Sequence, residues 1–121
     1  MGVVVMAAYE VVLGPAARVV VRSLGSRQER EGLAQCLREG LDVGVSSGAA
    51  VLLDPDPVDD GLKRYALPVR FLGILVLYRA MSQGELAKLA QQKKRKAELV
   101  GYLVFDLIFP ESAFYKGQHA A

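Results

Sequence analysis

At 121 residues the chain has the length of one domain, and with 52% hydrophobic residues it can bury a core of its own. Charged residues make up 23% and the formal net charge is +2, too small to imply nucleic-acid binding from bulk charge alone. A single cysteine, Cys36, excludes an intramolecular disulfide and fits the reducing cytoplasm, where the protein is expected. No apolar run approaches the ~20 residues of a membrane span, so no membrane partner is expected. The opening MGVVVMAAYE lacks the basic start of a signal peptide. Met1 and Met6 are both candidate initiators, and residues 1–8 are expected to form a flexible extension of the single domain.

Tyr9 to Leu13, YEVVL, is aromatic and β-branched enough for a strand. Gly14 ends it, and Pro15 suits the first turn of a helix, where its missing N–H costs nothing. Ala16, Ala17, Val20, Val21 and Leu24 recur at helical spacing, with Arg18 and Arg22 on another face. After Gly25, Ser26 and Glu29 form the S-x-x-E capping box. Leu33, Leu37 and Leu41 then give the second helix an apolar stripe, and Cys36 is expected as a small core residue of that helix. The two helices are expected to form a hairpin on one sheet face. Residues 43–49 read as a Gly/Ser-rich loop and Ala50 to Leu53 as a short strand. DPDPVDDG (54–61) reads as an extended acidic connection carrying Asp54, Asp56, Asp59 and Asp60.

Leu62 to Met81, LKRYALPVRFLGILVLYRAM, reads as two strands joined at Leu72 and Gly73. The first carries Lys63, Arg64 and Arg70; the second is apolar until Tyr78 and Arg79, and Tyr78 is expected to hold its hydroxyl at the sheet edge. A strand with cations beside an apolar strand can build a floor for an anionic ligand. Ser82 and Glu85 form a second capping box, which opens a surface helix over residues 83–97 ending in the basic run Lys93, Lys94, Arg95 and Lys96. Val100 to Phe109 reads as a last strand. Phe114 and Tyr115 are expected to dock the end of the chain, and residues 116–121 to fray. The fold class is therefore α+β: an antiparallel sheet, a helical hairpin on one face, and an extra helix before the last strand.

Three stretches resemble the RelE/ParE toxin superfamily of bacterial toxin–antitoxin systems. They are YEVVLGPAARVVVRSL (9–24), the capped second helix (26–41), and the strand–turn–strand from Tyr65 to Arg79 with Gly73 before ILVLYR. Together they cover residues 9–81. The resemblance implies a small antitoxin as partner, and the ribosome with its messenger RNA, or DNA gyrase, as target. Active nucleases of the family cut messenger RNA by attack of a ribose 2′-OH on the adjacent phosphate, which needs cations around that phosphate and an acid or base near the leaving oxygen.

Carried over by position, the arginine two residues after the turn glycine falls on Leu75, and the central-strand lysines fall near Ala66 and Pro68. The late arginine falls near Phe109. Arg70, Arg79 and Tyr115 are the remaining candidates for catalysis. Lys63, Arg64, Lys93, Lys94, Arg95 and Lys96 are candidates for nucleic-acid contact. The same residues also read as ordinary cations at strand and helix ends, and Tyr115 as an anchor for the tail. His119 has no companion at metal or catalytic spacing, and no cofactor motif occurs. The expected function is a RelE/ParE-like toxin-family protein bound by a small antitoxin, with the ribonuclease cation set largely missing. If the chain is an enzyme, it is a messenger-RNA endoribonuclease. The alternative is a non-catalytic homodimeric interaction module that contacts nucleic acid through residues 93–96.

Overall fold

A computed structural model describes residues 9–53, 63–96 and 98–110. The expected extension at 1–8, the acidic connection with its four aspartates, and the tail with Tyr115, His119 and residues 116–121 lie outside the described residues. The elements are β1 (Glu10–Leu13), α1 (Pro15–Ser23), α2 (Arg27–Ser47), β2 (Val51–Leu52), β3 (Arg64–Val69), a 3-10 turn (Arg70–Leu72), β4 (Ile74–Ala80), α3 (Gln83–Lys93) and β5 (Gly101–Ile108). The five strands form one sheet in the order β1-β5-β4-β3-β2. The α+β class holds, and the sheet is mixed. β2, β3, β4 and β5 pair antiparallel, whereas β1 runs parallel to β5. A parallel partner is reachable because the whole chain from α1 to α3 separates these two strands, which is ample for a crossover.

Both helices of the hairpin start where the sequence signals say. Pro15 occupies the first turn of α1, and the Ser26 side chain accepts a hydrogen bond from the Glu29 amide at the start of α2. The end of α2 differs from expectation. It continues through 43–47, the span read as loop, and closes only at Gly48, which has φ 81°. Glycines at 40 and 44 weaken a helix in isolation, but packing overrides that cost here. A Cβ on Gly44 would lie 3.2 Å from Leu67 Cδ1 and 3.3 Å from the Tyr78 hydroxyl. The bare backbone lets α2 settle onto the sheet. Between β3 and β4, Gly73 adopts φ 64° and donates its N–H to the Arg70 carbonyl, closing the turn in a conformation that favours glycine. The third helix stops at Lys93, short of the expected 97, with Lys94 at φ 52° as its cap.

The core lies between the hairpin and one sheet face. Ala17, Leu33, Leu37 and Leu41 of the helices meet Leu67, Val69, Ile74, Val76, Tyr78, Val104 and Leu107. Each fully buried aliphatic side chain of this kind stabilises the fold by about 1.5–3 kcal/mol. Tyr78 corrects the reading that put its hydroxyl at an edge. It is fully buried, and its hydroxyl donates to the Leu41 carbonyl at 2.8 Å. Tyr9 donates to the Leu37 carbonyl at 2.7 Å and accepts from the Leu41 amide at 3.2 Å. Tyr102 donates to Asp42 Oδ1 at 2.5 Å. The Tyr102 ring stands edge-on to those of Tyr9 and Tyr78, with centroids 5.4 and 5.3 Å away. Burial pushes the hydroxyl pKa of Tyr9, Tyr78 and Tyr102 up, and Asp42 adds to the rise at Tyr102. These phenols stay protonated and lock α2 to the sheet.

Candidate functional site

The other sheet face follows from strand alternation. In β4, Ile74, Val76 and Tyr78 are buried under the hairpin, so Leu75, Leu77 and Arg79 point the other way, and all three are half-buried. Register places Pro68, Ala66 and Arg64 of β3 beside them. In β5 the alternation breaks. Leu77 pairs with Asp106 while Tyr78 pairs with Val104, a β-bulge that leaves Phe105 as the extra residue. The bulge lets Val104 and Leu107, three residues apart, both bury under the hairpin. It leaves Phe105 and Asp106 half-buried on the opposite side. Leu103 and the more exposed Ile108 extend this floor along β5, and Val51 extends it at the β2 edge, 61% exposed.

The third helix covers one end of this face and walls the rest. Leu86 is buried and lies against Gly101, where a Cβ would approach Leu86 Cδ2 to 2.6 Å. Two polar anchors hold the helix. At its start, Arg79 forms a two-pronged ion pair with Glu85, both hydrogen bonds at 2.9 Å, while Glu85 accepts from the Ser82 amide at 2.9 Å and Ser82 Oγ accepts from the Glu85 amide at 3.1 Å. The Arg79 hydrogen bonds, helped by the Ser82 amide, lower the Glu85 pKa to about 2. At its end, Glu10 of β1, 7% exposed, binds the Arg95 guanidinium, with Lys93 Nζ 3.8 Å away. On the flank towards the open sheet, a cavity of about 270 Å³ is lined by Val12, Met81, Glu85, Lys88, Leu89 and Gln92.

The candidate residues fall into separate places. Arg64 and Arg79 are cross-strand partners at one end of the β3–β4 pair, with Lys63 adjoining them. Arg70 sits exposed in the turn at the other end, six strand residues from Arg64, or about 20 Å. No single phosphate spans Arg70 and Arg79. Arg79 holds Glu85, and the Arg64 guanidinium stacks 6.0 Å from the Phe105 ring centre. Lys93 and Arg95 converge on Glu10, while Lys94 and Lys96 are exposed. The positions between the cations carry Leu75 and Leu77. Cys36 is half-buried, and burial pushes its thiol pKa up, away from reactivity.

Sequence reasoning missed Glu10, Glu85 and Asp42 as partners of these groups. Glu10 carried a signal in being the only charge in YEVVL, and an acid inside an apolar strand needs a cation. Among the described residues no cluster of three His, Cys, Asp or Glu is placed to hold a metal ion, and no helix is long and apolar enough to cross a membrane. In comparisons with protein-family models, curated proteins and solved structures, nothing matches this chain.

Proposed function

We propose that this protein is a RelE/ParE-like toxin-family member that acts by protein contact and is neutralised by a small antitoxin lying on its open sheet face. One observation carries the reading. The face opposite the helical hairpin presents Leu75, Leu77, Leu103 and Phe105 half-exposed beside the third helix, where a nuclease centre would need cations. An apolar floor of this kind suits a partner's amphipathic segment, with pockets for its side chains and the helical wall to orient it. Arg79 and Arg95 support the same reading, because each is engaged by a carboxylate. A phosphate would have to displace Glu85 or Glu10 to reach them.

The target is accordingly a protein surface such as that of DNA gyrase, ahead of ribosome-bound messenger RNA. The test is inducible expression in a bacterial host, with and without the product of the neighbouring reading frame. The reading expects growth arrest, relief of the arrest by the neighbour, inhibited gyrase supercoiling, and intact messenger RNA on ribosomes. Absence of growth arrest together with absence of a bound partner removes it.

A further inference from the structure

The partner-docking reading leaves the basic run unused. Lys88, Lys93, Lys94, Arg95 and Lys96 place five cations within nine residues, with no acidic residue between them. All five are exposed at residue level. Glu10 neutralises part of the charge and at the same time organises it. By holding Arg95 and Lys93 against β1, it fixes the end of the third helix on the sheet. Lys94 turns the chain there with φ 52°, a left-handed helix cap whose amide bonds back to the last turn. Lys88, Lys94 and Lys96 have no ion-pair partner among the described residues. Alongside, a shallow groove of about 760 Å³ is lined by Gly84, Ala87, Lys88, Lys94 and Arg95, on the helix flank away from the open sheet.

We infer that this flank of the third helix is a docking surface for the phosphate backbone of a nucleic acid, bound without regard to sequence. Lys88 to Lys93 spans five helical steps, about 7.5 Å, and Lys94 and Lys96 follow past the helix end. A nucleic-acid strand carries one phosphate charge per nucleotide, so each of the three lysines left over by Glu10 is assigned one phosphate contact. Among the described residues no aromatic side chain lines the groove, so they offer bases no stacking platform and favour contact with the backbone. An acidic protein segment is the other polyanion of similar charge. It would need large apolar anchors beside the charges, because exposed ion pairs contribute little, and the apolar side chains among the described residues of this flank are the small Ala87 and Ala90 beside lysine stems. A nucleic acid instead gains from releasing its condensed counterions.

The experiment titrates the full chain against a fluorescein-labelled 20-nucleotide single-stranded RNA in two unrelated sequences, by anisotropy between 50 and 200 mM salt. Both sequences are expected to bind alike. The triple variant Lys88→Gln, Lys94→Gln, Lys96→Gln is expected to lower the salt slope by about 2, which is three phosphate contacts at ~0.7 each. At low salt its affinity is expected to fall at least tenfold. A second triple variant, Arg18→Gln, Arg22→Gln, Arg38→Gln, removes the same charge from the hairpin and is expected to bind as the wild type does. Four outcomes overturn the inference: no binding by the wild-type chain, an unchanged salt slope in the lysine variant, an equal loss in the arginine variant, or poly-glutamate competing as well as unlabelled RNA. Thermal melts of both variants confirm that the fold is intact.

Discussion

The two faces of the sheet differ although the same strands build both. In β4, Val76 and Tyr78 are fully buried beneath the hairpin, while their neighbours Leu75 and Leu77 remain half-exposed on the other side. The closed face is held by aliphatic packing and by three tyrosine hydroxyls bonded to α2. Among the described residues, the open face is covered at one end, where the third helix is fastened by Arg79–Glu85 and by Glu10 with Lys93 and Arg95. Stability is concentrated on one face and apolar surface is left on the other, so substitutions on the two faces have separable effects.

The largest expected effect is on the closed face. Leu41→Ala is expected to destabilise the protein by about 3 kcal/mol, because Leu41 has no exposed surface and the void left behind cannot fill. Leu77→Ala is expected to cost about 1 kcal/mol or less, since its side chain is already partly in water. Urea unfolding of the two variants checks the contrast, and equal losses would erase the distinction between the faces. Next in size, Tyr78→Phe removes the buried hydrogen bond to the Leu41 carbonyl and is expected to cost about 1–2 kcal/mol, again by urea midpoint.

A smaller effect is expected at the third helix. Glu10→Ala releases Lys93 and Arg95, and the amides of Lys94 and Arg95, which bond back to Gln91 and Ala90, are expected to exchange with solvent several-fold faster. Exchange within α2 should stay unchanged. The smallest effect concerns pH. The folded Glu85 pKa, about 2, is depressed from its ordinary 4.5. The stabilisation it brings is therefore fully present above pH 4.5 and lost as pH falls towards 2. Glu85 is 38% exposed, so screening holds the effect to about 1 kcal/mol or less. Glu85→Gln is expected to flatten acid unfolding across that window, and an unaltered acid profile would mean that the ion pair contributes nothing to stability.

The closed face was largely legible in the sequence. Leu33, Leu37 and Leu41 recur at helical spacing and the capping signals at Ser26 and Ser82 are local, so periodicity and caps place the helices without knowledge of the fold. What escaped depends on contacts distant in sequence. The extent of α2 past Gly44 is set by how closely Leu67 and Tyr78 approach it. The depth of Tyr78 depends on a helix thirty-seven residues earlier. The parallel pairing of β1 with β5 has no local signal. The bulge at Phe105 shifts the face of every later residue in β5, which alternation alone cannot foresee. On the open face, the absence of a cation at Leu75 was readable from the residue itself. The engagement of Arg79 by Glu85 was not, because the pair is made when the third helix folds over the end of β4.

The account turns on the open face being a protein-docking surface. Leu77→Asp tests it most directly, by co-expressing this variant or the wild-type chain with the product of the neighbouring reading frame and measuring copurification and thermal midpoint together. The account predicts that the wild-type chain brings the partner with it, and that the variant loses the partner while melting within a few degrees of the wild type. A variant that folds and still retains the partner at wild-type levels would contradict it.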